Sequence, residues 1–95
     1  MGIIEWLQRW YEQRCDGYWE HMYGIEIGTI DNPGWHVKID LRDTNYENIN
    51  GRKMKEEKGE NDWISCVIKE ETFQGFGDIY KLNQIIETFK EWIGE

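Results

Sequence analysis

Between Tyr23 and Leu41 the apolar residues fall on odd positions twice: Tyr23, Ile25, Ile27 and Thr29, then Trp35, Val37, Ile39 and Leu41. Glycines and charged residues fill the even positions of both runs, and Asn32-Pro33-Gly34 lies between them. Side chains in a strand alternate between faces, so each run reads as a half-buried strand. Proline fixing φ and glycine supplying positive φ make the joint a turn, so the pair reads as an antiparallel hairpin. Both apolar rows must share one face, and paired residue numbers then sum to an even value. A sum of 64 sets Thr29 opposite Trp35, Ile27 opposite Val37 and Ile25 opposite Ile39. It also sets Glu26 opposite Lys38 on the other face, and an opposite-charge pair across strands contributes roughly 0.2–1 kcal/mol. A slip of one residue would turn the apolar row to water.

On either side of the hairpin the period lengthens to that of a helix. Ile3, Ile4, Leu7, Trp10 and Tyr11 make an amphipathic helix over about residues 3 to 14, stopped by Asp16 and Gly17. Ile79, Leu82, Ile85, Ile86, Phe89, Trp92 and Ile93 make a second, with Asp78 as expected N-cap and Gly94 after its last turn. Trp63 to Lys69 is apolar on both alternations, as a central strand is, and Thr72 to Phe76 is a weaker strand after a turn at Glu70-Glu71. Asn50-Gly51 signals a hairpin whose flanks, Tyr46 to Ile49 and Arg52 to Lys55, alternate poorly, so a short, mobile hairpin is expected. Lys53 to Asp62 is expected to be a solvated charged loop. The whole chain, 1–95, is one α+β domain: an antiparallel sheet of four to five strands flanked by an N-terminal and a C-terminal helix, both on its apolar face.

A domain of 95 residues buries only about 60–65% of its unfolded surface, so its core must be dense. Six Trp, five Tyr and three Phe supply that density in a chain with no Ala. The net charge of −8 offers no basic face to nucleic acid or an anionic membrane; it suits either a partner protein with a basic surface or simple solubility. No apolar run approaches about 18 residues, so no membrane-crossing helix is expected. The start, MGIIEWLQRW, lacks the basic region and cleavage site of a signal peptide, which points to the cytoplasm and to free thiols at Cys15 and Cys66.

Cys15, Asp16, Glu20, His21 and His36 are the residues with potential for chemistry. Zinc needs three or four ligands at recognisable spacing, and a cysteine followed six residues later by one histidine is a poor match, so neither metal nor cofactor is expected. A thiol nucleophile with a histidine base would also need an oxyanion hole, and no glycine-rich turn adjoins Cys15. A sulfur-transfer cysteine sits in an anion-binding loop between strand and helix, whereas Cys15 follows a helix. Asp16 and Glu20 could serve as general acid and base only at a suitable separation, and Glu20 beside His21 is more simply a local pair. Gly75-Phe76-Gly77-Asp78 precedes a helix but is too short for a phosphate loop. Trp35 belongs with the core row. Trp19 is either a plug over the sheet edge or an exposed anchor.

At these residues the chain resembles the immunity protein 53 family of bacterial polymorphic toxin systems. The resemblance is carried by WLQRWYEQRCDGYWEHMYGIEIGTIDNPGWHVKIDL from Trp6 to Leu41, NDWISC from Asn61 to Cys66, and a last helix ending FKEWI at Ile93. It weakens over Asn45 to Glu60. It implies a cytoplasmic, non-catalytic protein that binds a cognate toxin and covers its active site. The expected toxin contacts are Asp16, Trp19, Glu20 and His21, with Glu26, His36, Lys38 and Asp40 on the polar face of the hairpin as a second patch. The alternative is a small thiol-dependent enzyme using Cys15 with His21 or His36. Oligomeric state is not set by the sequence.

Overall fold

A computed structural model describes residues 2–95. Its order is α1 (Ile3–Arg14), α2 (Trp19–Met22), β1 (Ile25–Ile30), β2 (Gly34–Asp40), β3 (Lys53–Gly59), β4 (Asp62–Lys69), β5 (Thr72–Gly77) and α3 (Leu82–Trp92). The strands form one antiparallel sheet in the order β1-β2-β5-β4-β3, and α1 and α3 both lie on one of its faces. The fold is therefore the expected α+β sheet with a helix from each end of the chain. The β1–β2 register is the one with sum 64, from Ile25 opposite Ile39 to Ile30 opposite Gly34.

The core lies between sheet and helices. Val37, Ile39, Ile64, Cys66, Ile68 and Phe73 rise from the sheet to meet Leu7, Trp10, Ile85, Ile86 and Phe89. Aromatic rings pack through it: Phe89 meets Trp10 edge-to-face and Phe73 at a tilt, each at a centroid distance of 5.1 Å. Gly75 and Gly77 put bare backbone under α3. A Cβ at Gly75 would overlap Ile85 Cγ2 and sit 3.2 Å from the Phe73 ring, and one at Gly77 would meet Lys81 Cβ at 2.6 Å. The glycines of the GFG segment thus serve close helix–sheet packing. No helix among the described residues is long and apolar enough to cross a membrane.

Four local expectations are corrected. Lys53 to Asp62 is not a loop: β3 occupies most of it and pairs with β4 from Lys53 opposite Val67 to Gly59 opposite Asp62. Only Met54 of this strand packs against the core, so β3 is specified by its neighbour rather than by any alternation of its own. Asn50-Gly51 does not turn a hairpin. Gly51, at φ 101°, leads into β3, and the Asn50 side-chain oxygen accepts the Glu71 N–H at 2.8 Å. That bond pins the β4–β5 turn, where Glu70 and Glu71 both hold positive φ. Asp78 does not cap α3, which begins after Lys81 without a side-chain cap. It is a buried clamp instead: its carboxylate accepts Trp63 N–H (2.9 Å), Tyr80 N–H (2.8 Å) and Lys81 Nζ (2.8 Å). Lys81 also reaches Asp62 at 2.8 Å. Lys81 first, then those backbone donors, holds the Asp78 carboxyl down at about 2. Finally, Trp35 is half-buried at the core margin, where its indole N–H donates to the Ile79 carbonyl at 2.9 Å.

Candidate functional site

With α1 and α3 on one side, no helix among the described residues packs over the other face of the sheet, which is bare. Strand alternation sends the even positions of β1 and β2 to that face, together with their register partners on β5, β4 and β3. One row across it is Gly28, His36, Phe76, Ser65 and Lys55; the next is Glu26, Lys38, Gln74, Val67 and Lys53. The His36 and Phe76 rings stack at 6.4 Å. Gly28 makes room for the imidazole to lie across β1, since a Cβ there would stand 2.8 Å from His36 Nε2.

At one end of this face Ile30, Phe76 and Trp63 floor an open concavity of about 840 Å³, bordered by Asn32 and by Lys55 and Glu57, themselves 3.7 Å apart. An apolar floor rimmed by one basic side chain, Lys55, and two acidic ones, Glu57 and Glu60, suits capture of a partner's side chain. Trp63, Phe76, Lys55 and Glu57 were not among the expected contacts. The double apolar alternation of Trp63 to Lys69 was the available signal, because a strand apolar on both faces puts aromatic surface on the uncovered one. Reading Lys53 to Asp62 as loop hid the other side of the concavity.

Of the expected contacts, Glu26, His36, Lys38 and Asp40 all lie on the bare face. Glu26, Lys38 and Asp40 also border a second depression with Met22 and Tyr23, so the hairpin patch runs on into the end of α2. Asp40 is partly committed to the fold: its Oδ1 accepts the Arg42 N–H at 3.0 Å and sits 3.9 Å from Arg42 Nε.

The segment after α1 folds into a self-capped turn. Asp16 Oδ1 accepts the N–H groups of Tyr18 and Trp19, both at 2.9 Å, while Glu20 reaches back to the N–H groups of Asp16 (3.0 Å) and Gly17 (2.8 Å). This reciprocal pattern satisfies the donors at the start of α2. It also holds both carboxyls below their usual range, Asp16 through Trp19 and Tyr18, and Glu20 through its own N–H first and then those of Asp16 and Gly17. Asp16 and His21 are exposed and Glu20 half-buried. Trp19 is 2% exposed, its indole N–H donates to the Arg42 carbonyl at 2.9 Å, and its ring meets Trp10 edge-on at 5.9 Å. Of the two roles open to it, Trp19 occupies that of the plug.

The thiols are set apart from the bare face. Cys15 is exposed at the C-terminal end of α1, its Sγ 3.2 Å from the Tyr11 carbonyl, whereas His36 lies on the bare face beside Phe76. Burial pushes the Cys66 thiol up to about 12, against a smaller opposing pull from Thr88. Among the described residues no three of His, Cys, Asp and Glu are grouped as metal ligands.

The model of a family described as Immunity protein 53 matches residues 4–94. Comparison with curated proteins and with solved structures gives no significant match.

Proposed function

The chain belongs to the immunity protein 53 family, and on that footing we propose that it protects its producer by binding a cognate toxin in the cytoplasm and covering the toxin's active site. The family match across nearly the whole chain carries this reading. Blockade is steric and electrostatic and asks no catalysis of the immunity protein. The net charge of −8 supports a toxin with a basic surface, which long-range attraction would steer onto it.

The bare face is the proposed contact surface. Glu26, His36, Lys38 and Asp40 supply its polar part and the Phe76–Trp63 concavity its apolar part; Met22 and Tyr23 border it, and Asp16, Glu20 and His21 precede them in the same turn. A rigid sheet face with a shallow apolar depression fits the arrangement in which one or two buried anchors dominate binding and the polar surroundings exclude water.

The test is co-expression with a toxin module found encoded beside this gene, together with calorimetric titration of the purified pair. Truncating two central residues, His36→Ala with Phe76→Ala, should weaken binding by about 10-fold to 1000-fold, the range for interface anchors. Glu12→Ala on the outer side of α1 should leave binding unchanged. A doubly truncated protein that stays folded and neutralises as well as the parent would remove this face from the interface. Failure of the parent to bind the neighbouring toxin at all would instead count against the toxin reading itself.

A further inference from the structure

The two edges of the sheet differ in kind. β3 presents Lys53, Lys55, Glu56, Glu57 and Lys58, all exposed, and such charge is what keeps an edge strand from pairing. β1, Ile-Glu-Ile-Gly-Thr-Ile, has one charge, no lysine and no proline. The Asp40 N–H donates to the Gly24 carbonyl at 3.2 Å, which makes that couple a hydrogen-bonded pair of the β1–β2 ladder. Alternation then turns the backbone of Glu26, Gly28 and Ile30 toward β2, and that of Ile25, Ile27 and Thr29 outward, where no strand among the described residues meets it. On the helix side α1 stops short of this edge. Ile27 is 43% exposed, beside Ile4 and Tyr11 in an apolar groove of about 320 Å³.

We infer that the occupant of this edge is a second copy of the chain, with β1 running antiparallel to β1 about a twofold axis to make one ten-stranded sheet. Outward-facing backbone must meet outward-facing backbone, so odd positions pair with odd. The register in which all three outward residues are paired sets Ile27 against Ile27 of the second copy and Ile25 against its Thr29. Isoleucine then covers isoleucine in the groove. On the bare face the same register sets Glu26 against Gly28 of the other copy, where the His36 imidazole already lies. Each interface acid thus approaches a histidine, twice by symmetry, and no like charges oppose. A shift of two residues one way would set Glu26 against Glu26, and the other way would leave Ile25 without an outward partner. The pairing leaves both bare faces open and does not depend on the toxin reading.

A six-residue edge covers less than the roughly 800 Å² per partner of a standard interface, so the dimer is weak and concentration-dependent. Two chains of net charge −8 also repel, so added salt should strengthen it. Sedimentation velocity from micromolar to millimolar protein should show a monomer–dimer equilibrium. Ile27→Lys, verified as folded by near-ultraviolet circular dichroism, should stay monomeric throughout. In a Cys15→Ser background, oxidised Ile27→Cys should give a disulfide-linked dimer, because hydrogen-bonded partners place their Cα atoms about 5.5 Å apart. Thr29→Cys should not, since the two copies of Thr29 would lie four positions, or about 14 Å, apart. A monomer at millimolar concentration, an Ile27→Lys variant that dimerises like the parent, or equal cross-linking through Thr29→Cys would each overturn the inference.

Discussion

Replacing Trp19 by phenylalanine should weaken the fold and leave toxin binding intact. The change deletes the indole N–H that meets the Arg42 carbonyl at 2.9 Å, and leaving that acceptor unpaired costs about 1–3 kcal/mol. Removing the second ring opens a gap beside Trp10 and Tyr11 that adds roughly 1 kcal/mol, because the ring is 2% exposed and its neighbours are held by the core. The sum, about 2–4 kcal/mol, is a large part of what a domain of this size has to lose. At about 4–8 °C per kcal/mol, the melting temperature should fall by at least about 8 °C. Urea unfolding followed by fluorescence of the remaining tryptophans measures the loss, and calorimetry against the toxin at low temperature, where both proteins are folded, measures affinity. A stability change under about 0.5 kcal/mol would refute the plug role. A stable variant with lost affinity would show that the ring touches the partner after all.

Gly75→Ala should destabilise by about 1–3 kcal/mol, since the new methyl overlaps Ile85 Cγ2 in a core without slack. Combined with Ile85→Ala, which alone should cost about 2–5 kcal/mol, the total should fall short of the sum, and additivity in urea titrations would dispose of the proposed contact. Asp78 sets an acid limit. Its folded pKa of about 2 lies below its ordinary value of 3.8, so its stabilisation is present above about pH 4 and is lost as pH falls through about 2. Asp78→Asn should flatten the stability profile in that window, and an unchanged acid slope would rule out the clamp as its source.

Much of the fold was written in local pattern. The β1–β2 register followed from two odd-numbered apolar rows and the Glu26–Lys38 pair, and both follow only from residues close in sequence. The parts that stayed hidden depend on distant neighbours. β3 has a single side chain packed against the core, Met54, and exists as a strand because β4 is beside it. Asp78 looked like a helix cap because its partners Trp63 and Asp62-bound Lys81 come together only when β4 reaches the end of β5. The candidate surface divides in the same way. Its hairpin half, Glu26 to Asp40, was legible from alternation, while its aromatic half needs Phe76 and Trp63 from strands placed by the sheet order. Trp19 shows the limit of composition, since an aromatic in an irregular segment suits a plug and an anchor equally.

The sheet order 1-2-5-4-3 has a kinetic consequence. β1–β2 and β3–β4–β5 are each built from neighbours in sequence, but they join only where β2 pairs with β5, Trp35 against Gly77 and Asp40 against Thr72. Closing that seam spans the whole intervening chain, and non-local strand pairing is the slow kind. α3, the last element in sequence, packs across β2, β5 and β4 and so fastens the seam once it forms. His36 and Phe76 stand on opposite sides of the joint. The proposed contact surface therefore does not exist in either half alone, and its formation waits on one long-range closure.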